Sequence, residues 1–176
     1  MNQEGFEPRK QASRAEPRTK GSILSIDYGQ ERIGLAIADA SAKLAQPLST
    51  LQRVNRNEDM RRLRELVREH VVNQIVVGLP LKLDGTRGEM AEEAERFARR
   101  IQKQLGVPVE LVDERLTSWE AERLLEEMQG RFLHAEKSGG SVKRKKAAAR
   151  ATVDAVAAAV ILKEYFERQG QPREQR

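Results

Sequence analysis

Residues 22–39 read SILSIDYGQERIGLAIAD. Ile23, Leu24 and Ile26 form a short apolar run that stops at an acid, Asp27. Gly29 follows, then a polar stretch through Arg32, and from Ile33 to Ala38 large and small residues alternate strictly. An apolar run, a Gly-containing turn and period-two alternation together predict a β-hairpin. A core strand that ends on Asp has two uses. It can cap a turn, or it can present oxygen to a metal or a phosphate-bearing substrate.

Working outward, Leu44 to Val54 reads as a third strand, with Pro47 marking an entry point or an edge. A helix is expected from Asn57 or Glu58 to about His70, its apolar stripe being Met60, Leu63, Leu66 and Val67. His70 reads as a helix-end residue near the negative pole of the dipole. Ile75 to Leu81 is a continuous apolar run, the mark of a strand buried on both faces. The Asp84-Gly85-Thr86 turn leaves its carboxyl end, where open α/β sheets place their sites. Glu89 to Leu105 forms a second helix, acidic first and basic last, with Met90, Ala94, Phe97 and Ile101 as its stripe and Gly106 as its cap.

Val107 to Val112 is another strand, and it too runs into acids, Asp113 and Glu114. Thr117 or Ser118 can cap a helix running to about Met128. Residues 129–146 break the pattern and read as a flexible basic loop holding His134, Gly139-Gly140 and the cluster Lys143–Lys146. An Ala-rich helix starts near Lys145, with Val153, Val156, Val160, Ile161 and Tyr165 as its stripe. Asp154 lies beside that stripe among small residues and needs a partner there. Residues 1–21 are expected to be a disordered arm, 22–168 one domain, and 169–176 a frayed tail. The element order predicts an α/β fold with a mixed five-stranded sheet, three antiparallel strands plus two parallel, flanked by helices.

Composition narrows the chemistry. The 176 residues contain no cysteine, which excludes disulfides and thiolate metal sites and fits a cytoplasmic location. No apolar run reaches membrane-spanning length. With only two histidines, any metal should be oxygen-liganded, such as Mg²⁺ or Mn²⁺. The net charge of +5 is uneven. Residues 22–136 hold 17 Lys and Arg against 20 Asp and Glu, whereas residues 137–176 hold 10 against 4. Basic arms around an acidic centre suit a polyanion, nucleic acid first. Asp27, the Asp113/Glu114 pair and Asp154 converge if the strand ends share one sheet edge and the last helix crosses it. Three ionised carboxylates together need hard cations, and a pair of such ions supports phosphodiester displacement.

The sequence resembles the YqgF/RuvX family, bacterial proteins with a ribonuclease H-like fold related to Holliday junction resolvases. Four blocks carry the resemblance: Asp27-Tyr28-Gly29 through Arg32-Ile33-Gly34; Val76-Val77-Gly78-Leu79-Pro80 with Asp84-Gly85-Thr86; Asp113-Glu114-Arg115-Leu116-Thr117-Ser118; and Val153-Asp154-Ala155 with Ile161-Leu162. It implies a metal-dependent nuclease, either maturing the 5′ end of the small-subunit (16S) ribosomal RNA precursor or resolving branched DNA junctions. Its partners would be RNA precursor or branched DNA, and ribosomal particles, with the chain a monomer or homodimer. Carried over by position, the catalytic and metal-binding acids are Asp27, Glu114 and Asp154. Strand alternation puts Asp113 on the opposite face. Arg32 and Arg115 would be phosphate or ion-pair partners, and Gly85, Thr86, Lys143, Lys145 and Arg150 substrate contacts. In the family a basic cluster usually lies just before the last acid. Here Ala147-Ala148-Ala149 moves Lys143–Lys146 almost two turns upstream. Two other readings compete: a small actin-like ATPase relative, which would need a second phosphate loop, and a non-catalytic ribosome-bound factor that keeps the fold.

Overall fold

The computed structural model describes residues 21–114 and 142–170, with side chains over 21–114 and 153–170. Strands β1 (Ser22–Tyr28), β2 (Arg32–Asp39) and β3 (Gln46–Gln52) form an antiparallel meander. Helix α1 (Arg56–Glu69) leads to β4 (Val72–Leu79), and α2 (Glu89–Leu105) leads to β5 (Val109–Asp113). Both β4 and β5 run parallel to β1, giving the order β3-β2-β1-β4-β5. Helix α3 (Val142–Gly170) closes the described chain. The five-stranded mixed α/β sheet is the one the sequence predicts.

The hydrophobic pattern explains the layering. On β1, Leu24 and Ile26 point to one face, where they join Ile33 and Leu35 of β2, Ile75 and Val77 of β4, Met60 and Leu63 of α1, and Phe97 and Ile101 of α2. Alternate residues point the other way, where Ile23, Ala38, Val76 and Val112 meet Ile161, Leu162 and Tyr165 of α3. The alternation of Ile33 to Ala38 is thus a division of labour. Large residues fill the α1/α2 core, and Gly34, Ala36 and Ala38 leave room for α3 to lie close on the sheet. Burying each large core side chain contributes about 1.5–3 kcal/mol.

Local chemistry sets the element ends. Asn55 caps α1, its side chain accepting from the backbone N–H groups of Asn57 and Glu58, one or two residues before the expected start. His70 is the C-cap, as expected for a helix-end residue. Gly106 ends α2 in the left-handed conformation, φ 70°. Pro47 lies on the edge strand β3, opposite Ala36 where the β2–β3 register shifts. The strand β4 begins at Val72, earlier than its apolar run, because the ladder continues back through Gln74, and it stops at Leu79, just before Pro80. Helix α3 begins at Val142, so Lys143–Lys146 belongs to its first turns rather than to a loop. Lys, Arg and Ala are all strong helix formers, and nothing after Ser141 breaks the run. The arm 1–20, the helix expected over 118–128, the glycine-rich part of the loop at 129–141 and the tail after 170 lie outside the described residues.

Candidate active site

The site is organised by what flanks Asp27. This residue sits one position from the carboxyl end of β1, paired across the hairpin with Gly34. It points to the α3 face, being in step with Ile23 and out of step with Leu24 and Ile26. A methyl group at Gly34 would run into the Asp154 carbonyl and lie 3.2 Å from that residue's Cα. The absence of a side chain there lets α3 lay its backbone against the sheet beside Asp27. On the other side of β1, the register Ile26↔Val77 brings Gly78 of β4 next to Asp27. A methyl there would meet the Glu114 carboxylate and come within 2.7 Å of Ile161 Cδ1. One glycine therefore admits the helix that carries Asp154, and the other admits the side chain of Glu114.

Glu114 follows β5 directly and shares a face with Val112. Asp113, the last residue of β5, accepts at its carbonyl from Arg168 Nη2 at 2.6 Å, and its charge acts on both Glu114 and Glu164 of α3. The electrostatics report the convergence. Burial, and then the Asp154 charge, push Asp27 up to about 6. Burial, then Asp27, then Asp113 push Glu114 up to about 7. Asp27 is thus the middle member, coupled to each of the other two. Among the described residues no three side chains already enclose a cation-sized point. The chemistry of the donor set nevertheless fits a hard divalent ion: three carboxylates, no nitrogen or sulfur, and a like-charge repulsion that cations would relieve.

Arg32 reaches Asp154 across 122 positions of sequence, Nε donating to Oδ2 at 2.6 Å. Of the two roles expected for Arg32, phosphate contact or ion pair, the second is the one it takes here. The bond uses one carboxylate oxygen and leaves Oδ1, so Asp154 is oriented rather than consumed. In the Gly85-Thr86 turn, Asp84 Oδ1 accepts from the Thr86 backbone at 2.9 Å and from its hydroxyl at 2.6 Å. Gly85 takes φ 84°, the conformation the Asp-Gly step predicts. The Thr86 hydroxyl therefore holds the turn. Lys143, Lys145 and Arg150 lie on the α3 backbone upstream of Asp154, and Arg115 lies outside the described residues.

Gly34 and Gly78 stand inside the sequence motifs, but no task was expected of them. The large–small alternation of β2 was the available signal for the first. A glycine set inside the apolar run of β4 was the signal for the second.

A three-stranded meander continued by two parallel strands, with helices on both faces and acids at one end, defines the ribonuclease H-like class. The chain matches the family described as RuvX: Holliday junction resolvase over residues 21–168, and it belongs to that family. A protein of Koribacter versatilis named "Putative pre-16S rRNA nuclease" is 39% identical over 155 residues, covering 88% of this chain and 92% of its own. One of the same name from Anaeromyxobacter sp. (strain K) is 43% identical over 145 residues, covering 82% and 96%. Among solved structures, T. thermophilus RuvC in complex with Holliday junction substrate shares the fold, with a TM-score of 0.52 at 17% identity over 85% of this chain and 96% of that one. Among the described residues no helix is long and apolar enough to cross a membrane.

Proposed function

We propose that the chain is a metal-dependent nuclease that hydrolyses phosphodiester bonds in the maturation of the 5′ end of the 16S ribosomal RNA precursor, in the cytoplasm. Asp27, Glu114 and Asp154 are the residues that would hold Mg²⁺ or Mn²⁺. Bound there, a pair of such ions would supply an activated water and would neutralise charge on the departing oxygen. The observation that carries this reading is the buried position of Asp27 between Asp154 and Glu114, its own ionisation opposed by burial and by Asp154 and its charge in turn opposing that of Glu114. The names of relatives about 40% identical over most of the chain supply the RNA substrate.

The chain's own residues divide the remaining work. Arg32 fixes Asp154 by its Oδ2 and offers positive charge beside the acids. Gly34 admits the α3 backbone that carries Asp154, and Gly78 admits the Glu114 side chain. Burial against Ile161 limits water around Glu114 and strengthens every charge interaction there. Protons and cations compete for Asp27 and Glu114, so metal affinity and turnover should rise with pH through about 6 to 7.

The test is a side-by-side digest of a 16S RNA precursor, a four-way DNA junction and a linear duplex, with product ends mapped. Wild type should cut the RNA precursor with Mn²⁺ or Mg²⁺. Asp27→Asn should lose on the order of a thousandfold in rate while remaining folded. Equal cutting by that variant would place the chemistry elsewhere. The family's own description favours a second reading, junction resolution. Symmetric cutting of a junction needs two sites and hence a dimer. Preference for the four-way junction, with a dimer in solution, would select it.

A further inference from the structure

Three arginines on the α1/α2 face stand against their local electrostatics. Arg56 is the first residue of α1, where the helix dipole favours anions over cations. Arg96 and Arg100 lie one turn apart on α2, a like-charge spacing that works against the helix. All three border one open cleft of about 320 Å³, whose wall also holds Tyr28, Arg53 and Glu93.

The floor of this cleft is fixed. Arg53 Nη1 donates to the Tyr28 hydroxyl at 2.9 Å and to the Gly29 carbonyl at 3.0 Å, and its Nε donates to buried Asp59 at 3.2 Å. Its guanidinium lies 4.8 Å from the Tyr28 ring centroid. That ring also packs against Phe97, 4.7 Å between centroids. The ring is thus engaged by both a guanidinium and a second aromatic ring. Arg96 has Glu92 at 3.6 Å, and the Tyr28 hydroxyl faces Glu93 at 3.3 Å. Arg56 and Arg100 have no acidic partner among the described residues. A concave site with two guanidinium forks not engaged by an acid suits a phosphate.

Its place on the fold suggests the source of that phosphate. Tyr28 follows Asp27 in β1, so the ring and the carboxylate leave the strand on opposite faces. The short β1–β2 turn, closed by Gly29 N–H to Arg32 O at 2.9 Å, separates cleft from acids. We infer that Arg56 and Arg100 bind a backbone phosphodiester of a single nucleic-acid strand that bends over this turn to reach the carboxylates. The identity of the strand rests on the nuclease reading; the anion site does not. Contact of this kind holds the strand in register without reading sequence.

The test is binding of a fluorescent single-stranded RNA to the full chain in metal-free buffer, across a salt series. Arg56→Gln/Arg100→Gln should weaken binding about tenfold near 100 mM salt. Its log affinity–log salt slope should be shallower by about 0.7, for the one phosphate no longer neutralised. Arg61→Gln/Arg64→Gln removes the same charge from α1 outside the cleft and should bind nearly as wild type. Unchanged affinity and slope in the first variant, or an equal loss in the second, overturns the inference. Side-chain Nε–Hε NMR signals of Arg56 and Arg100 give a second readout. Shifts with inorganic phosphate but none with RNA would make this a small-anion site and overturn the strand reading. Binding that depends on these arginines, from a protein that cuts no substrate, would keep the cleft and remove the nuclease. Cutting with arginine-independent binding would do the reverse.

Discussion

On the α1/α2 face of the sheet, β1, β2 and β4 present Leu24, Ile26, Ile33, Leu35, Ile75 and Val77, all fully buried. On the α3 face the same strands present Ser25, Asp27, Gly34, Ala36 and Gly78. One face is filled with large apolar side chains. The other is kept thin, with a hydroxyl that finds no hydrogen-bond partner among the described residues and carboxylates pushed well above their ordinary range. The contrast teaches where stability is made and where it is given up. Apolar burial on the first face stabilises the fold, and the second carries groups whose crowding costs stability.

Matched substitutions one residue apart on β2 test the contrast most strongly. Leu35→Ala should cost about 3 kcal/mol by leaving a cavity in the filled face. Gly34→Ala should cost a similar ~3 kcal/mol for the opposite reason, because its methyl must push the α3 backbone off the sheet. Chemical denaturation measures both, and a Gly34→Ala protein as stable as wild type would mean that α3 does not lie this close. Gly78→Ala should separate the two effects. Its methyl meets the movable Glu114 carboxylate, so hydrolysis should fall far more than stability.

Next in size is the pH response of the metal-free protein. Asp27 and Glu114 hold their protons to higher pH folded than unfolded, from 3.8 to about 6 and from 4.5 to about 7. The folded state therefore binds more protons between about pH 4 and 7, and stability should fall as pH rises through that window. Asp27→Asn should flatten the curve and be the more stable protein at pH 8, as read from urea unfolding at fixed pH in chelator. A wild-type curve that rises instead would mean the two acids are not crowded.

Arg32→Gln should give a smaller change, about 1 kcal/mol, because the ion pair to Asp154 is partly exposed to solvent. Its effect on hydrolysis should be larger than its effect on unfolding, since it releases Asp154 to turn. The smallest expected effect is Ser25→Ala. Removing a buried, unpartnered hydroxyl should stabilise by roughly 0.5–1 kcal/mol, whereas destabilisation would show that the oxygen has a partner.

Much of this was legible in the chain. The hairpin followed from the apolar run, the glycine turn and the alternation of residues 33–38. The burial of β4 followed from its unbroken apolar run, and the bounds of α2 from its acid-to-base gradient and Gly106. Asp27 on the α3 face at a strand end follows from strand periodicity, which is local. The start of α3 was less legible, because glycines and a charge cluster look like a loop even where Lys and Ala favour helix.

The sequence by itself determined which residues alternate and where strands meet acids, because dihedral preference and hydrophobic period act over a few neighbours. Only the tertiary structure decided that Gly34 would underlie Asp154 and Gly78 would underlie Glu114, that Arg32 would hold Asp154 across 122 positions, and that Arg56 and Arg100 would share a cleft. These pairings depend on how elements pack across the sheet, and the space left by an absent side chain exists only once a distant element has arrived to use it.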